Sequence, residues 1–482
     1  MQISSRQHLA VVAAVLCCLS VVTPAVAAPS GQAETRSMST TSVPDKLCAG
    51  NISEPADGMT VVSVQGYKWG NRGGKKPAKL VGVGPNGEVK WVHQSAAKYD
   101  VVWGYDVDPM ENGNVFVTAT VKGHKTIAYE LNPRTQERVW VETFDLADTH
   151  DIDLINNGTE LLVANMRNYH ESNQTNGDRI FVYNRETDDI EWQWHFDDHY
   201  DRQNMEENYT DDWTHVNDVD KVGEGKYLLS PRNFDQAIVV DRESGDIVMK
   251  VGEDGQKDIL NEQHNPDYLE SENSTPTILV ADSDNGRIVE YTNPDGDLTN
   301  GQGWNRAWTL EGDLAWPRDA DRLQNGNTLV TDSRHSRVVE VTPEGDIVWE
   351  FYAPWLVYDA ARVTNADESE GPTMSDVNAT GTYEVATADK HDNKSAMWDC
   401  NERLQSIDGW ADGQQPTQTA GTSEGAMDGD TDSGNDDGSG TGSDGSGSTG
   451  SSSTIPGFGV SAAIAALAAL FAMGVGLTRQ KQ

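Results

Sequence analysis

Positive charge is what this chain has least of. Lys and Arg together number 36 against 77 Asp and Glu, a net charge of −41 over 482 residues. The acid is spread along the whole chain, so nucleic acid and anionic lipid surfaces are repelled, and neither is expected as a partner. Such an excess suits a protein kept soluble in high salt, where screening weakens its self-repulsion. Cysteine is scarce as well. Of four, Cys17 and Cys18 lie in an N-terminal apolar run, which leaves Cys48 and Cys400, one on each side of the middle region. In an exported protein that pair is a candidate disulfide. Helix-type periodicity is rare in the middle of the chain. No glycine-rich phosphate loop, serine nucleophile elbow or cysteine nucleophile is present, and no cofactor is expected.

Both ends read as targeting segments. Arg6 and His8 precede an apolar stretch from Leu9 to Val22, and Ala25-Val26-Ala27 has the small residues of a cleavage site. Residues 1–27 are therefore expected to be a signal peptide, followed by an N-terminal extension over 28–58. At the other end, 366–410 is a C-terminal extension, and 411–454 is a Gly, Ser, Thr and Asp spacer without Lys or Arg, expected to be disordered. Residues 455–482 hold Pro456-Gly457-Phe458, an apolar run from Val460 to Leu477 that is just long enough to span a bilayer, and the basic Arg479 and Lys481. Their order resembles the PGF-CTERM sorting signal of archaeal surface proteins. That resemblance implies cleavage near Pro456 and attachment to a lipid, the alternative being a plain membrane helix. Either way the C-terminal segment anchors the protein to the membrane with its folded part outside the cell. Asn51, Asn157, Asn173, Asn208, Asn273, Asn378 and Asn393 stand in glycosylation sequons.

Between these ends the chain repeats itself. The clearest unit opens Arg318-Asp319-Ala320-Asp321, turns at Asn325-Gly326, runs through Thr328-Leu329-Val330 and Arg337-Val338-Val339-Glu340-Val341, turns again at Glu344-Gly345 and ends Ile347-Val348-Trp349-Glu350. Short alternating runs separated by Asn-Gly and Glu-Gly turns are antiparallel strands, four to the unit. Units open near 106, 151, 218, 267, 319 and 359, a spacing of about 50 residues, as in propeller blades. The last opening, 357–363, lacks partners, whereas 59–95 reads as later strands that lack a first. The expectation is an all-β, six-bladed β-propeller over 59–365. Its closing blade is built from both ends of the repeat region, which removes exposed edges.

In such a fold the residues just before each Asp-x-Asp converge on one mouth of the central channel. They include His150, His215, His264 and Arg318, and Arg232 and Arg287 follow second strands nearby. A cationic and imidazole set in so acidic a chain is a candidate site for a small anion. Three histidines can also hold a metal, but their loops lie far apart in sequence without tight ligand spacing, so no metal is expected. The paired aspartates are expected to cap turns and to bond neighbouring blades. Calcium at those positions is the lesser reading.

The stretch Asp212-Trp213-Thr214-His215, then Ser230-Pro231-Arg232-Asn233-Phe234, Gln263-His264-Asn265-Pro266 and Asp284-Asn285-Gly286-Arg287 is similar, in order and spacing, to the arylsulfate sulfotransferase family. The resemblance covers roughly residues 60–365 and implies a six-bladed propeller. It also implies transfer of a sulfuryl group from a phenolic sulfate ester to a phenol, without a nucleotide donor. It makes His215, His264 and Arg287 catalytic, while Arg318, His150, Arg232 and His335 are expected around the substrate from their places in the repeats. The family's covalently modified histidine belongs at a blade opening that here reads Trp316-Pro317-Arg318, so His215, His264 or His335 must substitute, or the chain omits that step. The competing expectations are a surface propeller that binds an anionic ligand or glycan without catalysis, and a sulfatase-like hydrolase using the same pocket.

Overall fold

The computed structural model describes residues 46–66, 76–364 and 369–416. The expected signal peptide, nearly all of the spacer and the sorting segment lie outside the described residues. Among those described, no helix is long and apolar enough to cross a membrane.

Six antiparallel sheets of four or five strands form a six-bladed β-propeller. Blade 1 comprises Val101–Pro109, Val115–Val121, Lys125–Asn132 and Glu137–Phe144. Blade 2 begins at Ile152–Ile155, blade 3 at Val216–Gly223, blade 4 at His264–Glu270 and blade 5 at Pro317–Arg322. Blade 6 is closed as expected from both ends: Val357–Arg362 is its inner strand and pairs with Thr60–Val64, which leads to Lys79–Val83 and Val89–His93. The hairpin turns have the chemistry their sequence demands. At Asn325-Gly326 the amide of Gly326 donates to the carbonyl of Leu323 at 2.8 Å, and Gly326 has a φ of 86°, which glycine adopts without steric cost.

The blades are joined by a repeated contact. Trp91, Trp308 and Trp349, each on a fourth strand, are completely buried. Each contributes about 5 kcal/mol of apolar transfer before the entropy of ordering is subtracted. At two junctions an arginine ending an inner strand stacks on the preceding blade's tryptophan and pairs with its third strand. Arg322 lies over Trp308 and bonds Glu290 at 3.0 Å, and Arg362 lies over Trp349 and bonds Glu340 at 2.7 Å.

The described parts of the terminal extensions add to the folded body. Ala49–Ile52 adds a fifth strand to blade 5, Gly381–Val385 a parallel fifth strand to blade 4, and Gly409–Trp410 an outer strand to blade 6. A disulfide joins Cys48 to Cys400, on the helix Lys394–Ser406.

Ladder register defines the layers of the channel. Asp108 faces Phe116, Asp153 faces Leu162, Asp220 faces Leu228, Asp267 faces Leu279, Asp321 faces Leu329 and Ala361 faces Val61, so these six inner-strand positions are equivalent. Two residues earlier, a second layer holds Asp106, Asp151, Asp218, Asn265, Asp319 and Asp359. Counting blade openings by aspartates placed the fourth at 267. The register puts Asn265 level with the others, an offset of two. Several of the aspartates bond the next blade, as expected: Val107 and Val219 donate their amides to Asp359 and Asp151, each at 2.7 Å, and Lys221 donates to Asp153 at 3.0 Å.

Candidate active site

Immediately before the upper acid layer stand Tyr105, His150, Asn217, His264, Arg318 and Tyr358. In four blades the inner ladder slips at this point, between Gly104 and Val107, Val216 and Val219, His264 and Asp267, and Pro317 and Asp319. A bulge re-aims a side chain that strict alternation would turn into the sheet. Here the slips carry His264 and Arg318 to the channel mouth.

The mouth groups form one contact set. The rings of His150 and His215 are 5.0 Å apart, and Tyr105 packs on His150 at 4.2 Å. Tyr358 lies 5.5 Å from His150 and 6.4 Å from His264. The guanidinium of Arg318 sits 3.9 Å from the Trp316 ring and 4.9 Å from that of Tyr358, and it donates to Gln65 at 2.9 Å.

Each of two histidines has one nitrogen committed. His215 Nδ1 donates to the Asp212 carboxylate at 2.7 Å, and its Nε2 is buried without a partner. His264 Nδ1 lies 3.2 Å from the carbonyl of Glu262, which can only accept, and 2.8 Å from Ser283 Oγ. The proton therefore sits on Nδ1 in both rings, and the Nε2 lone pairs are available. Burial pulls both imidazoles well below their usual pKa. Arg232 and His150 add to this at His215, and Arg318 and Arg232 add to it at His264. Both are neutral at neutral pH, the state a nucleophile or base requires. Burial lowers Arg318 as well, to about 10, which leaves it cationic. Behind these rings, Arg167 bridges Asp148 at 2.7 Å and Asp212 at 3.1 Å, and Tyr105 donates to Asp148. Burial alone would raise the Asp148 carboxyl, but His150, Tyr105 and Arg167 outweigh it and hold it well below the ordinary range.

Over the mouth opens a cavity of about 480 Å³, within the span of small-molecule sites. Trp103, Trp316, Trp355 and Leu356 supply flat apolar walls, and Arg318 and Arg334 supply positive charge. Arg334 stacks 4.4 Å from the Trp316 ring. The remaining lining includes His391, so the C-terminal extension walls the site. An aromatic slot with two guanidinium groups suits a flat ring that carries an anionic substituent.

The family model for arylsulfotransferase (ASST) matches residues 52–303, more than half of the chain. The chain belongs to the arylsulfotransferase family. No curated protein matches it. Among solved structures it is similar to a protein of unknown function from Bacteroides caccae, with 14% identity over 63% of this chain and 98% of that one and a TM-score of 0.41. It is also similar to a virginiamycin B lyase from Staphylococcus aureus, with 10% identity over 61% of this chain and 89% of that one and a TM-score of 0.36. A putative 6-phosphogluconolactonase from Bacteroides fragilis has 11% identity over 63% of this chain and 98% of that one, with a TM-score of 0.40. None of these three structures bears on activity.

Of the residues expected at the site of this arylsulfotransferase family member, the structure brings His150, His215, His264 and Arg318 together at the mouth. Arg232 is close enough to depress all three imidazoles. Arg287 is not brought into this set. As the first residue of its strand it turns back to Asp282 at 2.7 Å and to the carbonyls of Asp258 and Ile259. Arg337 repeats the same pairing with Asp332 at 2.8 Å one blade later, which marks a blade-building position. His335 also stands apart, with Nδ1 2.8 Å from Asp332 and its ring 5.1 Å from that of His391. Burial would lower its pKa, but Asp332 raises it overall. Sequence reading missed Tyr105, Tyr358, Trp316, Arg334, Asp212 and His391. The first two were within reach, because Tyr105-Asp106 and Tyr358-Asp359 occupy the slot of His150-Asp151.

Proposed function

We propose that this chain transfers a sulfuryl group from an aryl sulfate to a phenolic acceptor, with His264 as the covalent carrier and His215 as the base. What supports this reading above all is the pair of neutral imidazoles with their Nδ1 atoms committed at the channel mouth, where His264 packs on Trp316, a wall of an aromatic, guanidinium-lined cavity that neither ring itself lines. His264 is given the carrier role because its ring lies 5.8 Å from that of Trp316, a wall of the cavity, and because Arg318 is the charge that weighs most on it. His215 is given the base role because Asp212 can steady the imidazolium formed when it takes a proton.

In the first half-reaction the Nε2 lone pair of His264 forms an N–S bond. The S–O(aryl) bond breaks, and its electron pair leaves on the phenolate, which takes a proton from solvent. In the second, His215 Nε2 removes the proton of the acceptor phenol, whose oxygen attacks sulfur, and the N–S pair returns to His264. His215 then releases its proton to solvent. Arg318 and Arg334 hold the sulfuryl oxygens, and the tryptophans hold the ring, so catalysis rests on positioning and charge stabilisation. On the same reading the folded body works outside the cytoplasm, where the Cys48–Cys400 bond is stable, anchored by its C-terminal segment.

The test is release of nitrophenolate from p-nitrophenyl sulfate with and without phenol, at several salt concentrations. Release that depends on phenol, and that is lost in His264→Ala and His215→Ala at unchanged thermal stability, is the expected result. Release without acceptor makes the protein a sulfatase-like hydrolase. Binding of aryl sulfate without release makes it an anion-binding propeller.

A further inference from the structure

Below the mouth the channel is filled with acid. Asp106, Asp151, Asp218, Asp220, Asp319 and Asp359 are all at least nine-tenths buried. A ring of carboxylates out of water is costly unless each is bonded, protonated or neutralised. Some are bonded to backbone amides, as described above. Asp218 is different: its Oδ2 is buried and has no hydrogen-bond partner among the described residues. The Asn265 side-chain oxygen, in the same layer, is also buried without one.

The spacing of the carboxylates says what is missing. Asp151, Asp218 and Asp220 each offer a carboxylate oxygen, and these oxygens lie within 4.8 Å of one another. Two oxygens on opposite sides of one calcium ion are separated by about twice a 2.3–2.6 Å bond, so the spacing is that of ligands around a single ion. Asp106, Asn265, Asp319 and Asp359, from the other four blades of the same layers, line a separate small cavity of about 10 Å³, which Asp151, Asp218 and Asp220 do not line.

We propose that the acid layers of the channel bind one calcium ion, with Asp151, Asp218 and Asp220 as its carboxylate ligands. The donors are all hard oxygens, which excludes the thiolate- and imidazole-seeking metals. Calcium accepts six to eight oxygens in irregular geometry, whereas magnesium demands a near-ideal octahedron that a ring of blade strands does not offer. The ion ties blade 2 to blade 3.

The experiment is equilibrium dialysis of the purified chain, stripped with EDTA, against calcium in molar NaCl to screen the acidic surface, with thermal unfolding followed in parallel. One saturable calcium per chain is expected, together with a higher unfolding temperature on loading. Asp218→Asn should weaken uptake at least tenfold, while the exposed Asp295→Asn leaves it unchanged. Should Asp218→Asn not fold, Asp220→Asn makes the same test. Absence of saturable uptake, uptake indifferent to both channel substitutions, or magnesium bound as tightly as calcium overturns the proposal.

Discussion

Replacing Arg318 with methionine isolates what one buried guanidinium does for the site. Methionine keeps most of the apolar stem that packs between Trp316 and Tyr358 and removes only the charge. A unit charge about 4 Å from the sulfuryl anion is worth about 4 kcal/mol at an effective dielectric near 20. At about 1.36 kcal/mol per decade, Arg318→Met should lower kcat/KM for p-nitrophenyl sulfate by about 10³-fold. Arg318→Lys keeps the charge but loses the fork that grips two oxygens, so it should fall between the two. The thermal transition should not drop, because removing a buried cation ends its desolvation cost. A second readout comes from pH. Burial and then Arg318 hold His264 below its usual value, so the lone pair is lost only as pH falls below about 6.5, and the acid limb of kcat/KM should move to higher pH in Arg318→Met. Two results would refute the reasoning: kcat/KM within fivefold of the parent, or a full loss with an acid limb that does not move.

Two further outcomes concern the scaffold. Glu340→Ala strands the buried Arg362 and should cost about 3–5 kcal/mol of unfolding free energy in guanidinium titrations, whereas replacing both partners with apolar residues should cost far less. Cys400→Ser opens a loop of 352 residues and should cost roughly 3–5 kcal/mol, read as a lowered midpoint that matches the parent under reducing conditions.

The blade count and the two-ended closure were legible because turn residues and alternating runs recur at a constant interval, and the opening motif at 357–363 had no partner nearby. The site was legible only where a chemical residue stood beside a repeated one, as His150 and Arg318 do before their aspartates. Arg287 falls outside the mouth set, and a local motif match does not reveal that Arg337 fills the same slot one blade later with an equivalent aspartate partner. Asp267 misled because Asn265 replaces the expected acid, so the eye moves to the next one. Trp103 reaches the cavity from the start of a blade strand, Trp355 from a loop and His391 from a short helical turn in a segment that reads as an extension. Nothing local in their sequence announces where a closed ring will put them.

The strand Val357–Arg362 completes the ring, and it carries Tyr358 and Asp359 into the channel. It is made after every other inner strand of the six blades. A chain cut short before residue 357 therefore has an open ring, a mouth without its last aromatic wall and a blade 1 whose Val107 amide has lost its acceptor. Completion of the mouth is gated by synthesis itself: a product truncated there has no finished site, and His391, made later still, adds a last wall to the cavity.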